Sequence, residues 1–343
     1  MQVRSAVALA GLTTLRLGGP AATLVEASSA DELVEAVRAA DTAGEPMLLV
    51  GGGSNLVVAD AGWPGRVVLI RSRGVAVESD GDTRTLTVEA GEPWDTLVAR
   101  TVAEGWAGIE ALSGVPGLVG ASPVQNVGAY GQEVADTITR VDAYDRETGE
   151  TLRLAPADCR FGYRDSLFKH TDRYVVLRVA FALRAGGKSA PRYAELARAV
   201  GDIAPPADVR AAVLRLRGGK GMVLDDADPD TWSAGSFFTN PILSAAEVAG
   251  FEARLDPGTA YPSWPAGDGR KLSAAWLIEH AGFAKGYGTG PVGISTKHTL
   301  ALTNRGGGSA ADLVALAREV RAGVQARFGV TLRPEPRLVG LSL

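Results

Sequence analysis

Cysteine and histidine are scarce in this sequence. Cys159 is the only cysteine among 343 residues, which excludes an intramolecular disulfide. The three histidines, His170, His280 and His298, are scattered and match none of the common zinc-site spacings. We therefore expect neither a disulfide framework nor a bound metal.

Neither an excess of positive charge nor a long apolar run is present. Lys and Arg number 35 against 39 Asp and Glu, a formal charge of -4 at pH 7, so binding to nucleic acid is not expected. No apolar stretch approaches the roughly 20 residues that cross a bilayer, so we expect no membrane partner. These absences fit a cytoplasmic protein. The sequence carries no signal for oligomeric state, and we expect a monomer.

The apolar pattern predicts a mixed chain of helices and strands. A chain of 343 residues is longer than a single hydrophobic core usually accommodates, so two or three domains are expected. A helix from Ser29 to Gly44 feeds the apolar strand "PMLLV", which is an α/β unit. The Asp-rich segment "LDDADPDTW" (224–232) is typical of a linker into a further domain. The other predicted elements are a hairpin over 137–154, a strand from Tyr174, helices near 193–200, 207–217 and 271–281, and a long helix from Ser309.

Three glycines follow the "PMLLV" strand. Gly51, Gly52 and Gly53 let the backbone approach a ligand closely, and with Ser54 and Asn55 they predict a phosphate or pyrophosphate site. A plain turn at the end of a strand is the alternative. The loop is not a Walker motif, because no Lys-Ser or Lys-Thr pair follows the glycines.

The same loop matches the Rossmann dinucleotide motif poorly. Leu56 stands in place of the third glycine, and Arg71 and Arg73 stand where an acidic residue would hold the ribose. A second loop of small residues, "GLVGASPVQNVGAYG" (117–131), offers Ser122 among its hydrogen-bonding groups. Two such loops favour a large dinucleotide, and flavin adenine dinucleotide (FAD) rather than a nicotinamide nucleotide.

Two charged segments are candidate ligand sites. In "RFGYRDSLFKH" (160–170), Arg164 lies among aromatic residues and could clamp a carboxylate with two nitrogens; a solvated loop with salt bridges is the alternative. In "TLRPEPRLVG" the prolines enforce an extended chain, so Arg333, Glu335 and Arg337 share one face. The alternative there is an edge strand with a surface row of charges.

The stretch "SAGSFFTNP" (233–241) places a hydroxyl beside an aromatic pair. Ser236 follows Gly235, and leaving Phe237 and Phe238 in water would be costly. The stretch therefore favours a hydroxyl aimed into an apolar pocket rather than a simple turn. Residues that could bind an anionic ligand, each with an ordinary surface position as its alternative, are Tyr193, Arg217, Lys220 and Lys271.

Six motifs together resemble the UDP-N-acetylenolpyruvoylglucosamine reductase family. They are "VGGGSN", "GLVGASPVQNVGAYG", "FGYRDSLFK", "AGSFFTNP", "KLSAAWLIEHAG" and "LRPEPRLVG", in the family's order across nearly the whole chain. The resemblance implies an α+β chain: a vanillyl-alcohol-oxidase/PCMH-type FAD-binding fold in two subdomains, plus a separate α/β substrate-binding domain. It also implies that NADPH reduces noncovalent FAD and that hydride then reaches the enolpyruvyl double bond of UDP-N-acetylenolpyruvoylglucosamine. The product would be UDP-N-acetylmuramate, a precursor of the bacterial cell wall.

By motif, the resemblance implies three catalytic residues. Arg164 would polarise the substrate carboxylate, Ser236 would donate a proton, and Glu335 would either hold a proton on the enol or orient the carboxylate. The implied cofactor-binding residues are Gly51, Gly52, Gly53, Ser54, Asn55, Leu56, Ala121, Ser122, Val124, Gly128, Val176 and Arg337. The implied substrate-binding residues are Tyr130, Tyr193, Arg217, Lys220, Asn240, Tyr261, Lys271 and Lys297.

Subclass and domain bounds follow from the same resemblance. Tyr193 with its basic neighbours is similar to the tyrosine-loop subclass, in which a mobile segment closes over the UDP-sugar. We expect FAD-binding subdomain 1 over 1–75 with 330–343 packed near it, subdomain 2 with the tyrosine-loop segment over 76–222, and the substrate-binding domain over 223–329.

Two positions depart from the family pattern. Ala121 stands where some members have a hydroxyl residue, and Lys297 with His298 replaces a glutamine pair of some members. Two other functions stay open: another FAD-dependent oxidase or dehydrogenase acting on a sugar alcohol or hydroxy acid, and a non-catalytic UDP-sugar sensor. The choice between NADPH and NADH stays open as well.

Overall fold

The computed structural model describes residues 1–343, apart from the side chain of Gln2. The contacts within the chain divide it into two compact units. The first unit comprises Met1–Val7, Ala21–Gly53 and Pro64–Val223, and the second comprises Ala8–Pro20, Ser54–Trp63 and Leu224–Leu343. The three-part domain division expected from the sequence stays a prediction.

Runs of strands and single strands are separated by single helices or by a helix pair along the chain. In chain order the helices are α1 (Ala30–Thr42), α2 (Trp94–Ala103), α3 (Ala194–Val200), α4 (Pro206–Gly219), α5 (Ala245–Glu252), α6 (Ala274–His280) and α7 (Ala310–Phe328). The strands are β1 (Gln2–Ala8), β2 (Pro20–Ala27), β3 (Met47–Val50), β4 (Leu56–Val58), β5 (Trp63–Ile70), β6 (Val75–Asp80), β7 (Thr83–Glu89), β8 (Trp106–Ala107), β9 (Gly128–Ala129), β10 (Gln132–Glu133), β11 (Ile138–Asp145), β12 (Glu150–Leu154), β13 (Tyr174–Ala185), β14 (Ile242–Leu243), β15 (Ser263–Ala266), β16 (Gly269–Leu272), β17 (Val292–Ile294), β18 (Leu302–Asn304) and β19 (Arg337–Val339).

The first unit contains two sheets with α1 packed against both. One sheet has the order β1-β2-β5-β3, and the other has the order β12-β11-β13-β7-β6 with β8 added on β13. Leu33 and Val37 lie four residues apart on one face of α1. They share a buried cluster with Val68 of the first sheet and with Val175 and Leu177 of the second. The predicted hairpin and the strong strand that follows it are confirmed as β11, β12 and β13.

A parallel strand pair sets the edge where ligands are expected. β3 and β5 run in parallel, with Val50 opposite Leu69. Both strands therefore end at the same edge of the sheet, which is where α/β folds bind their ligands. The glycines after β3 and the residues after Ile70 both leave the sheet there.

The second unit is built around an apolar core that includes Phe251, Leu277 and Leu313. Its strands form the sheet β14-β16-β15, the ribbon β17-β18 and the parallel pair β4-β19. The long helix predicted from Ser309 is confirmed as α7, which ends at Gly329 in a left-handed conformation.

The helix predicted over 271–281 begins later than expected. Lys271 lies in β16, where it is the register partner of both Ile242 and Trp264. The helix starts only after Ser273, whose hydroxyl accepts a hydrogen bond from the Trp276 N–H at 3.2 Å. Pairing with two neighbouring strands outweighs the helical pattern of "KLS", because strand formation depends on partners that are distant in sequence.

Candidate active site

Two glycine loops of the first unit meet through bare backbone. Gly53 has a φ of +61°, a left-handed conformation that glycine adopts without strain. A Cβ atom placed on Gly52 would lie 2.8 Å from the Gly117 Cα, and one placed on Gly120 would lie 2.5 Å from the Ala90 Cβ. A side chain at Gly52 would push the two loops apart, and one at Gly120 would collide with Ala90, which follows β7. Glycine therefore keeps this surface as backbone that a ligand can approach.

The second glycine loop is held in shape by its own polar side chains. The Ser122 hydroxyl donates to the Val119 carbonyl at 2.8 Å. The side chain of buried Asn126 donates to the Glu133 carboxylate at 2.8 Å and to the Gly162 carbonyl at 3.0 Å. In this arrangement the Ser122 hydroxyl can serve a ligand only as an acceptor.

Arg164 is fixed at both ends of its side chain. Its backbone is left-handed, with a φ of +54°. Nη2 donates to the Gly128 carbonyl at 2.6 Å, and Nη1 donates to the Asn126 carbonyl at 3.4 Å. The Lys169 ammonium donates to the Arg164 carbonyl at 2.6 Å, and the guanidinium lies 5.7 Å from the Tyr163 ring centroid. These contacts fix the direction of the guanidinium, as a carboxylate clamp requires.

Three predicted substrate residues lie together in the first unit. The rings of Tyr130 and Tyr193 meet edge to face with centroids 5.6 Å apart, and the Lys220 ammonium lies 5.7 Å from the Tyr130 centroid. Burial alone would lower the pKa of Lys220, but its hydrogen bond to Glu195 at 2.6 Å gives a net raised pKa. Burial raises the pKa of Tyr130. At neutral pH the cluster therefore presents a cationic ammonium beside a neutral phenol.

Arg217 adds a buried positive charge to this cluster. The residue is only 9% exposed. Nη2 donates to the Met222 carbonyl at 2.7 Å, whereas buried Nε has no partner among the described residues. Burial lowers the pKa of Arg217, against the attraction of Tyr130 and Asp95. The Asp95 carboxylate is engaged by Arg210 at 2.6 and 2.8 Å. A buried cation without its own carboxylate is costly and suits a site for an anion.

In the second unit, the Ser236 segment runs beside the Glu335 segment. The Phe237 N–H donates to the Leu300 carbonyl at 2.7 Å, and the Glu335 N–H donates to the Phe237 carbonyl at 2.8 Å. Phe237 and Phe238 are each 1% exposed, with their rings 5.1 Å apart inside the core of the unit. The aromatic pair thus anchors the backbone next to Ser236 by packing into the core, and Ser236 itself is half-buried.

The Glu335 segment also joins the loop that follows the glycines. The Arg337 N–H donates to the Asn55 carbonyl at 2.9 Å, and the Asn55 amide donates to the Glu335 carbonyl at 3.4 Å. Leu56 is the register partner of Arg337 in the parallel pair β4-β19. The structure therefore brings three predicted cofactor residues next to a predicted catalytic residue within one unit.

Other predicted residues of the second unit have partners inside it. The side-chain oxygen Oδ1 of Asn240 accepts a hydrogen bond from the first N–H of α6, that of Ala274, at 2.9 Å. The Tyr261 hydroxyl bonds to Glu252, and the Lys271 ammonium lies 5.9 Å from the Trp264 ring centroid. These contacts hold each side chain in place, and they do not bring the three residues into one hydrogen-bonded group.

The Asp-rich segment 224–232 begins where the chain passes from the first unit, which ends at Val223, into the second. Its role as a linker between domains stays a prediction. Asp228 forms an ion pair with Lys297, and Asp230 accepts from the Ser295 hydroxyl at 3.0 Å. The carboxylates therefore tie the segment to the loop after β17. The hydrogen bond from Lys297 lowers the pKa of Asp228, so a ligand of Lys297 would have to compete with this pair.

Sequence reasoning missed residues that hold the site from outside the motifs. Glu133 supports Asn126, and Glu195 pairs with Lys220 across 25 positions of sequence. No local pattern signals such pairs, because each forms only when the chain folds. A surface groove of about 750 Å³ runs along α1, and none of the predicted site residues line it. Leu177 and Arg178, which follow the predicted cofactor residue Val176 in β13, belong to its lining.

Replacing Gly52 with alanine is expected to weaken FAD binding about 10- to 100-fold, because overpacking against the Gly117 backbone costs about 1–3 kcal/mol. Fluorescence titration of the deflavinated full-length protein with FAD measures this. Gly250→Ala in α5 is the matched control, since a Cβ there meets nothing within 4 Å. Wild-type FAD affinity in Gly52→Ala would contradict the assignment of this loop.

Comparisons with known proteins agree with this geometry. The FAD binding domain family matches residues 21–155, and the UDP-N-acetylenolpyruvoylglucosamine reductase C-terminal domain family matches residues 228–339. A UDP-N-acetylenolpyruvoylglucosamine reductase from Salinispora arenicola (strain CNS-205) is 61% identical, covering 98% of this chain and 95% of that relative. One from Thermobifida fusca (strain YX) is 59% identical, covering 98% of each.

A solved structure is similar over the whole chain. It is the UDP-N-acetylenolpyruvylglucosamine reductase from Thermus caldophilus, with a TM-score of 0.68, 27% sequence identity and 99% of each chain covered. Among the described residues, every helix is too short or too polar to cross a bilayer. The similarity over full length confirms the predicted fold with its FAD-binding domain, and the chain belongs to the UDP-N-acetylenolpyruvoylglucosamine reductase family.

Proposed function

We propose that Arg164, Ser236 and Glu335 carry out the reduction of the enolpyruvyl double bond of UDP-N-acetylenolpyruvoylglucosamine, with NADPH as the reductant and UDP-N-acetylmuramate as the product. The chain is an FAD-dependent oxidoreductase acting on this UDP-sugar, as its family membership establishes. Neither another oxidase nor a non-catalytic sensor is favoured. The observation that carries the residue assignment is the pairing of the Ser236 and Glu335 segments inside the family's C-terminal domain.

The residues present fit FAD. The contact of Gly52 with Gly117 leaves a backbone surface that a Cβ would block, and left-handed Gly53 shapes the turn beside it. Backbone N–H groups in such a loop suit a pyrophosphate. When bound, FAD supplies the two-electron redox chemistry that links NADPH to the substrate. Ser54 and Asn55 occupy the place where related enzymes tether flavin through His or Cys, so we propose noncovalent binding.

The proposed cofactor site includes residues from several elements. Ala121 is exposed and has no polar side-chain atom. We propose that its backbone groups take the place of the hydroxyl that some family members have at this position. Val176 is buried in β13. The remaining residues proposed to bind FAD are Gly51, Leu56, Ser122, Val124, Gly128 and Arg337.

Arg164 is proposed to bind the substrate carboxylate. Hydride arriving at the terminal carbon of the enolpyruvyl group leaves negative charge on the adjacent carbon and its carboxylate. A cation fixed before the reaction stabilises that charge without reorganising. The hydrogen bonds of Arg164 to the Gly128 and Asn126 carbonyls hold the guanidinium in place in this way.

Ser236 is proposed to donate the proton that completes the product. A serine is a weak acid in water, but a carbanion-like intermediate is a strong base, so correct placement can compensate for the high pKa. Gly235, with a φ of +74°, and the buried Phe237 fix the backbone on either side of it. Glu335 is proposed either to hold a proton on the enol or to orient the carboxylate.

The cluster of Tyr130, Tyr193, Arg217 and Lys220 is proposed to bind an anionic part of the UDP-sugar. Support comes from buried Arg217, whose Nε has no hydrogen-bond partner among the described residues, and from the raised pKa of Lys220. We also propose that the chain belongs to the tyrosine-loop subclass, since Tyr193 is exposed at the start of α3. Further proposed substrate contacts are Asn240, Tyr261, Lys271 and Lys297.

Assembly and location are part of the proposal. We propose a monomeric cytoplasmic enzyme, whose mass in solution would be that of one 35.5 kDa chain. We propose the domain bounds 1–75, 76–222 and 223–329, with 330–343 near the first. Light scattering of the purified protein tests the monomer.

Two half-reactions test the proposed function. The purified protein is reduced with NADPH without oxygen, and UDP-N-acetylenolpyruvoylglucosamine is then added while flavin absorbance is followed. We expect rapid reoxidation, with UDP-N-acetylmuramate as the product by mass spectrometry. NADH in place of NADPH serves as the comparison for the reductant. Flavin that stays reduced after the UDP-sugar is added would contradict the proposed substrate.

A further inference from the structure

Arg71 is a cation beside the first glycine loop that the proposed mechanism does not use. It directly follows β5, and its Nη1 donates to the Ile70 carbonyl at 2.9 Å and to the Gly51 carbonyl at 3.2 Å. Gly51 directly follows β3, the parallel partner of β5. The Arg71 guanidinium therefore lies against the backbone of the loop at the ligand-binding edge of this sheet.

The surroundings of Arg71 carry excess positive charge. Burial is the largest cause of its lowered pKa; Arg73 and Arg4 lower the pKa further, and Glu26 raises it. Glu26 is itself paired with Arg4. Arg71 thus interacts with two other guanidinium groups and with one carboxylate, which is already paired with Arg4. A half-buried cation in such a place is stabilised by an anion that arrives from outside the chain.

The geometry of the guanidinium suits a phosphate group. Among the described residues, both hydrogen bonds of the Arg71 side chain use Nη1, so Nε and Nη2 keep their N–H groups for a ligand. Guanidinium nitrogens match phosphate oxygens in a bidentate arrangement. The carbonyl of Gly51 holds the side chain toward the loop whose N–H groups suit the same anion.

We propose that Arg71 binds the diphosphate of FAD as its side-chain counter-ion beside the glycine loop. This inference rests on the proposed placement of that diphosphate at Gly51–Asn55. NADPH also carries phosphate groups, so the shared chemistry is a phosphate ester, and the experiment has to separate the two sources.

The test compares Arg71→Met and Arg71→Lys with Arg84→Met. Arg84 in β7 is a matched control, because its Nη1 also donates to two carbonyls, those of Gly81 in the preceding turn and of Thr83 in β7. The FAD dissociation constant of the deflavinated full-length proteins is measured at several salt concentrations. We expect Arg71→Met to bind FAD about 10- to 100-fold more weakly with a flatter salt dependence. Arg71→Lys should recover part of the affinity, and Arg84→Met should match wild type.

Four results would overturn the proposal. Wild-type FAD affinity in Arg71→Met, with weak binding in Gly52→Ala, would remove Arg71 and leave the loop assignment intact. Wild-type affinity in both variants would remove the loop assignment as well. Unchanged FAD affinity together with a KM that rises for NADPH would assign Arg71 to the nicotinamide nucleotide, to its 2′-phosphate if the KM for NADH stays unchanged and to its diphosphate if that KM rises as well. Weaker FAD binding at unchanged salt dependence, with a lower melting temperature of the deflavinated Arg71→Met protein, would make Arg71 a structural tie to Gly51.

Discussion

Replacing Ser236 with alanine should leave the reduction of flavin by NADPH unchanged and slow its reoxidation by UDP-N-acetylenolpyruvoylglucosamine on the order of 10²- to 10⁴-fold. The physical reason is that the reductive half-reaction needs no proton from this hydroxyl, whereas completion of the product does. Anaerobic stopped-flow absorbance of the flavin measures both rates. The structure predicts little effect on stability, because Ser236 is half-buried and its neighbours Phe237 and Phe238 provide the packing.

Two further variants separate proton transfer from positioning. Ser236→Cys keeps a proton donor at the same side-chain position, with sulfur in place of oxygen, and should recover part of the reoxidation rate. Ser244→Ala is the control within the same unit, since the Ser244 hydroxyl accepts the Glu247 N–H at the start of α5. It should reoxidise at the wild-type rate. A normal reoxidation rate in Ser236→Ala would exclude Ser236 as the proton donor.

Replacing Arg164 with lysine should slow reoxidation on the order of 10²- to 10³-fold, the usual effect of removing one group that stabilises developing negative charge. Lysine keeps the charge but lacks the planar guanidinium. It therefore cannot hold a carboxylate with two nitrogens while it also donates to the Gly128 and Asn126 carbonyls. Arg164→Met should be slower still. Lysine and methionine are no more strained than arginine at the left-handed φ of +54°, so the comparison reports on the side chain alone.

Arg160→Met is the control for Arg164. Arg160 lies in the same segment, is exposed and also has a left-handed backbone, with a φ of +51°. Its replacement should leave both half-reactions unchanged. Flavin content of each variant is measured from the ratio of flavin to protein absorbance, because a loosened 126–128 loop would lower it. If Arg164→Lys reoxidises like wild type with normal flavin content, the carboxylate-binding role is wrong.

Elements with strong local signals were predictable from sequence. The helix from Ser309 is one, since its capping residues and apolar face are all local, and α7 follows them to Gly329. The strand ahead of the glycines is another, found as β3. The predicted helix over 271–281 was partly wrong, because Lys271 pairs with β14 and β15. These strands begin at Ile242 and Ser263, which are 29 and 8 residues before Lys271.

The same contrast applies to the candidate site. The glycine loops were predictable, because a run of glycines after an apolar strand indicates a close approach of the backbone. The structure has such an approach between Gly52 and Gly117, which a Cβ on Gly52 would block. The residues that hold the charges were not, since Glu195 pairs with Lys220 and Glu133 with Asn126 only after folding. The ion pair between Asp228 of the Asp-rich segment and Lys297 was not predictable for the same reason, because composition alone does not reveal it.

Local chemistry in the sequence determined the helix caps, the bare glycine backbone and the identity of the groups able to bind anions or transfer protons. It also determined the family, because six ordered motifs span the chain. Tertiary structure alone decided which of these groups are fixed in direction, lie next to one another or are buried. It directs Arg164 with two loop carbonyls, sets Glu335 beside the Ser236 segment, and leaves Nε of buried Arg217 without a hydrogen-bond partner among the described residues. The reason is physical: burial and hydrogen-bond direction depend on residues far apart in sequence, which only the folded chain brings together.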